Sequence, residues 1–183
     1  MKAATRRKLH GFAAIAALLV LAGIQLTIFV RDQPSGESWF LYGRDTLAHD
    51  AVVQVWLRQW WERDPGCIPL WAFGIQGGIP TVGSFLLTPL APQTWLHAVL
   101  SFALAQWAGW LLSLWIAGVG GRLLGRAAGL RPIPALAVGV IWMLSGHVVT
   151  LIHAGHLQKV MALGWLPWLI AGFLAAARGS GIR

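Results

Sequence analysis

Asp45 and Asp50 flank the start of a helical pattern that opens at Thr46, and His49 lies between them, four residues after Asp45. A carboxylate facing a cavity at a lipid surface can take a proton from an acceptor hydroxyl, or hold a divalent cation that neutralises a departing phosphate. Plainer roles fit the same positions: Asp45 as the N-cap of the helix, Asp50 as a residue of its polar face, and His49 as an imidazole in a hydrated interface. Asp45, His49 and Asp50 together offer two carboxylates and one imidazole to a cation such as Mg or Mn, which would need further oxygens to complete its shell. Arg44 and Arg58 carry planar forks suited to a lipid phosphate, or pair with the neighbouring acids; Gln54 sits between Asp50 and Arg58 at spacings of four.

A second polar cluster reads Ser145-Gly146-His147, then His153, His156 and Lys159. Lys159 is the only lysine after position 8, and it stands at the start of an apolar run on the side where cations are disfavoured. A cation at membrane depth points to function, with phosphate as its natural partner, or else it snorkels to the headgroups. His147, inside an apolar run, has the ordinary role of bonding a neighbouring helix.

The elements that must position these groups follow from composition. The 183 residues are 57% apolar and only 11% charged, and no Asp, Glu, Lys or Arg occurs between Asp64 and Arg122. A water-facing surface cannot be covered with so little charge, which excludes a soluble globular domain. The net charge of +8 is unevenly placed: all six acids lie between Asp32 and Asp64, so that residues 31–64 carry −2 and the remainder +10, in clusters beside apolar runs. Basic clusters flanking spans mark cytoplasmic ends, so the excess is topological and nucleic acid is not an expected partner. A lone cysteine, Cys67, excludes an internal disulfide and a thiolate metal cluster.

Four spans satisfy the pattern. Residues 12–30 follow Lys2, Arg6, Arg7 and Lys8, are too long for a signal-peptide core, and place the N-terminus in the cytoplasm. The second span, 95–118, ends at Arg122, Arg126 and Arg131; the third, 133–152, begins after Pro132, a tolerated first-turn proline; the fourth, 160–177, contains Pro167 and exits at Arg178 and Arg183. Residues 31–94 form a long extracytoplasmic loop with an amphipathic helix over about 46–62, whose apolar positions Leu47, Ala51, Val55 and Trp56 oppose Asp50, Gln54 and Arg58. Half of the twelve tryptophans fall in or beside this loop, as expected of a segment lying at the headgroup level. The breakers from Pro65 to Pro92 exclude a through-going helix and predict irregular backbone forming a cavity wall.

The order Gly43-Arg44-Asp45, Asp50 with Gln54, Pro69-Leu70-Trp71, Gly77-Gly78-Ile79-Pro80 and Pro89, then Ser145-Gly146-His147, Gly155-His156-Leu157 and Trp165-Leu166-Pro167-Trp168 resembles the N-terminal part of bacterial YfhO-type membrane proteins. The resemblance implies an all-α polytopic protein of the GT-C class, in which sugar passes from a polyprenyl-phosphate donor to a cell-envelope glycan or lipid on the extracytoplasmic face of the inner membrane. It implies that an acid in the first outer loop, here Asp45 or Asp50, acts as base or metal ligand, and leaves open which. On this reading Arg44, Gln54, Arg58, His156 and Lys159 bind substrate. Members of the family are longer, so the chain is expected to be a fragment or a truncated relative, not a complete enzyme. The rival expectation is a non-catalytic lipid-binding, transport or assembly component of the membrane.

Overall fold

The computed structural model describes residues 2–31, 51–67, 70–72, 77–81 and 91–179. Its elements run α1 (Lys2–Arg31), α2 (Ala51–Arg63), β1 (Trp71–Ala72), β2 (Ile79–Pro80), α3 (Pro92–Val99), α4 (Phe102–Ala127), α5 (Pro132–Met143), α6 (Gly146–His153) and α7 (Leu157–Ala177). Four stretches are long and apolar enough to cross a bilayer: Gly11–Ile28 within α1, all of α4, Pro132–His153 across α5 and α6, and all of α7. The chain is an all-α, multi-pass membrane protein.

Two spans depart from the uninterrupted helices expected of them. The segment read as 95–118 is broken: α3 ends at Leu100, whose φ of −105° and ψ of 162° are extended, and α4 begins afresh. Ser101 is the starting residue, its carbonyl accepting the first bond of α4 from Ala105 N at 2.8 Å. The segment read as 133–152 is interrupted at Leu144 and Ser145, between α5 and α6. The fourth span starts three residues earlier than expected, at Leu157.

Helix ends follow local chemistry. Gly155 has φ +79°; its N–H donates to Ile152 O at 3.0 Å and that of His156 to Leu151 O at 2.9 Å, the paired bonds that close a helix on a left-handed glycine. The same pair of bonds closes α4 at Gly129.

The chain divides into two compact units. One comprises Met1–Asp32, Leu114–Gly146 and Leu163–Arg183. In it α1 buries Leu18, Ala22 and Leu26, a stripe at helical spacing, while Phe12, Val20 and Ile28 face outward as a lipid-facing side would. The backbones of α4 and α5 approach closely: a Cβ on Gly121 would stand 2.9 Å from Gly139 Cα, and one on Gly125 2.9 Å from Ala135 Cα. Gly121 and Gly125 face Ala135 and Gly139 as two small-residue pairs four apart, the arrangement that lets membrane helices pack by dispersion.

Indole N–H groups cross-link this unit. Pro167 has no N–H, so the Leu163 carbonyl four residues earlier lacks its helical donor; Trp142 Nε1 donates to it at 3.3 Å. Trp168 Nε1 donates to Ile116 O at 2.8 Å and Trp115 Nε1 to Ile15 O at 3.1 Å.

The other unit comprises Gln33–Ser113 and His147–Ala162. Its core is made by Val53 and Leu57 of α2 and Ala72 of β1, with Trp56, Ile79, Trp95 and Ala98 packed around them. Among the described residues of the Pro65–Pro92 stretch, expected to be irregular, the strands pair antiparallel with Trp71 opposite Pro80 and Ala72 opposite Ile79, and Thr81 N donates to Leu70 O at 3.1 Å. Gly78, at φ +113°, lies where a Cβ would meet Trp71 Nε1 at 2.7 Å. The two glycines of the Gly77–Pro80 motif thus turn the chain between the strands and leave room for the indole.

Candidate functional site

The chemistry of the second unit begins with how α2 is fastened to α3. Arg58, on the exposed side of α2, donates from Nε to His97 O at 3.4 Å and from Nη2 to Leu100 O. Both carbonyls lie at the C-terminal end of α3, where no further turn supplies donors and where a cation is favoured. Trp61 stacks edge-on against Trp95 with centroids 5.5 Å apart, adding an aromatic contact between the same helices.

Beneath this fastening lies a buried polar face. Gln93 and His97, one turn apart on α3, are both buried, His97 at 3% exposure. Gln93 Nε2 donates to Ser113 Oγ at 3.4 Å, and Ser113 Oγ donates to Gly109 O at 2.6 Å, so the amide nitrogen is tied to α4 through a serine that itself back-bonds its helix. Gln93 Oε1 and His97 Nδ1 have no hydrogen-bond partner among the described residues. Burial first, and the Arg58 guanidinium second, push the His97 imidazole down to about 4, so the ring is neutral at pH 7. With the proton on Nε2, Nδ1 is an acceptor, and α3 then presents two acceptors one turn apart on one face. Buried acceptors without partners cost about 1–3 kcal/mol each, which a hydroxyl donor arriving at this face would recover.

The residues expected to do chemistry are distributed as follows. Arg44, Asp45, His49 and Asp50 lie outside the described residues, as does the side chain of Gln54; α2, Ala51–Arg63, is the described part of the helix expected over about 46–62. Arg58 engages the end of α3. His156 and Lys159 are brought within one turn of each other by the tight connection between α6 and α7: the His156 carbonyl accepts from Val160 N at 3.1 Å, which makes it the N-cap residue of α7, and Lys159 is exposed in the first turn. His147 is the second residue of α6, past the break, not a turn and a half inside a continuous span. Among the described residues no three His, Cys, Asp or Glu side chains come together as a metal site.

Gln93 and His97 are absent from the sequence-level candidates. Reading 95–118 as one span submerged His97 in hydrocarbon and left Gln93 in the loop. The signals that place them on one short helix are Pro92 at its first turn, the i, i+4 spacing of the two polar residues, and Ser101 as the start of the next helix.

Comparison with models of known protein families, with characterised proteins and with solved structures gives no match to this chain.

Proposed function

We propose that the protein is a GT-C-class membrane glycosyltransferase, or a fragment of one, the whole enzyme transferring a sugar from a polyprenyl-phosphate donor to a cell-envelope glycan or lipid on the extracytoplasmic face of a bacterial inner membrane. The observation that supports this reading is the folding of the first inter-span loop around α2. In sequence Asp50 adjoins the described part of that helix and Asp45 stands five residues earlier, the helix packs on Ala72, Ile79 and α3, and α3 turns two hydrogen-bond acceptors into the packed interior. Its other support is the ordered resemblance running from Gly43 to Trp168. The basic clusters orient the chain with its N-terminus in the cytoplasm and the loop outside.

The chemistry is a direct displacement. Asp45 or Asp50 takes the proton of the acceptor hydroxyl, the freed oxygen forms a bond to the anomeric carbon, and the bond from that carbon to the phosphate oxygen breaks. Lys159, with the donors that Arg58 does not spend on α3, stabilises the departing phosphate by charge-assisted bonds, and His156 supports them. Arg44 and Gln54 orient the substrate around the acids.

The test is transfer from a radiolabelled polyprenyl-phosphate sugar by the purified full-length protein in liposomes. Asp45→Asn and Asp50→Asn are compared, and the one that removes the base is expected to lose about 10²–10⁴-fold in rate. Undiminished transfer in both variants would rule out the assignment. Donor that is retained or moved across the bilayer with its sugar still attached would favour the lipid-binding or transport role instead.

A further inference from the structure

The first unit holds a groove of about 1020 Å³ that the proposed transfer chemistry does not use. One side is α1, where Gly11, Ala13, Ala14 and Ala17 leave space because their side chains are small. The other is the connection between α4 and α5, with Pro132, Ile133 and Leu136 as apolar wall and Arg122, Arg126 and Arg131 as the polar end. Ile133 is 82% exposed, so the apolar wall opens outward.

Three guanidinium groups line this groove, and among the described residues no acid pairs with them. The sequence has no Asp or Glu between Met1 and Arg31 and none from Arg122 to Arg183. Arg122 is held against α1, its Nη2 4.0 Å from the position a Cβ on Gly11 would take, and its Nε is buried with no hydrogen-bond partner among the described residues. Arg126 spends Nη1 on Leu130 O at 2.7 Å and keeps its remaining donors. A buried guanidinium N–H without an acceptor is costly, and a phosphate oxygen is the acceptor whose geometry and charge suit the fork.

We propose that this groove binds one phosphate-bearing anionic lipid, the headgroup on Arg122, Arg126 and Arg131 and the upper part of an acyl chain along Ala13, Ala14, Ala17 and Ile133. A free anion would satisfy the arginines and leave the methyl-lined wall uncovered; a lipid matches both surfaces. The arginines lie at the end of α4 and start of α5 that the charge distribution assigns to the cytoplasmic side, where anionic lipids are attracted to basic pockets between helices. The site is therefore separate from the extracytoplasmic chemistry proposed above, and its existence does not rest on glycosyl transfer.

The test is native mass spectrometry of the detergent-solubilised protein titrated with dioleoyl-phosphatidylglycerol or, with the same chains, dioleoyl-phosphatidylcholine. One phosphatidylglycerol should be retained in preference to phosphatidylcholine. Arg122→Gln, Arg126→Gln and Arg131→Gln should weaken it by roughly fivefold per charge removed. Ala14→Phe, which fills the groove and keeps every arginine, should weaken both lipids, whereas Arg63→Gln, which removes an exposed charge elsewhere, should change nothing. Equal retention of the two lipids by the wild-type protein overturns the proposal without any variant having to fold. Displacement of phosphatidylglycerol by millimolar inorganic phosphate overturns it in favour of a free-anion site.

Discussion

His97 shows how one residue can couple packing to pH. Its imidazole falls from the ordinary 6.5 to about 4 in the folded protein because burial, and then Arg58, disfavour the cation. Between those two values a released α3 binds a proton that the packed helix refuses, so stability is complete above about pH 6.5 and is lost as pH falls towards 4. The displacement corresponds to up to about 3 kcal/mol. Thermal unfolding in detergent at pH 7.5 and pH 4.5 should show wild-type protein losing stability and His97→Gln losing clearly less; equal losses would show that the imidazole is not buried neutral. Nothing in the residue type alone announces this behaviour: a histidine in an apolar run reads as an ordinary helix contact until Ser101 is recognised as the start of a new helix. Asp45 and Asp50 are the reverse case, conspicuous by type and position in the sequence, while their geometry lies outside the described residues.

The helices as elements were largely legible because apolar length and flanking charge determine where hydrocarbon can be crossed. Their interruptions were not. Hydropathy averages over a window, so the breaks at Leu100–Ser101 and Leu144–Ser145, each only two residues long, leave almost no trace in it. The conformation of α2 was readable from its amphipathic spacing, and the absence of a through-going helix after it from the breakers; the pairing of Trp71–Ala72 with Ile79–Pro80 was not, since strands of two residues are too short for alternation to register. Pro167 was visible as a breaker, but the device that lets α7 continue through it depends on a tryptophan 25 positions earlier. If Trp142 serves the carbonyl that Pro167 leaves unbonded, Trp142→Phe should cost about 1 kcal/mol of stability. The cost should shrink in a Pro167→Ala background, where the backbone N–H restored by the substitution returns the helical donor to Leu163 O. A double-mutant cycle measured by unfolding in detergent reads this coupling directly, and an additive result would remove the explanation.

For the whole molecule, the class was readable from charge and apolar content, and the charge asymmetry also predicts an orientation. Cys67, the single cysteine, is exposed in the loop that the distribution of arginines and lysines assigns to the outside. A membrane-impermeant maleimide added to intact spheroplasts should label the wild-type protein there and leave Cys67→Ser unlabelled. Labelling that requires permeabilised membranes would invert the topology, and with it the assignment of the Asp45–Asp50 segment to the extracytoplasmic side. The division into two units was not legible, because α4 and α7 each contribute residues to both and no linker in the sequence marks the boundary.

The close approach of Gly121 and Gly125 to Gly139 and Ala135 bears on how the protein enters the membrane. The twelve residues of α5 span about 18 Å, and only together with α6 does the stretch Pro132–His153 reach a length that crosses the ~30 Å of hydrocarbon. The four-residue connection from Ala128 to Arg131 holds α5 beside α4 as soon as both are synthesised, and their facing small residues allow them to pack with no side chain between. A bulky residue at Gly121 would meet the α5 backbone and is therefore expected to be felt first as a defect in how this hairpin assembles, before any loss in the finished protein.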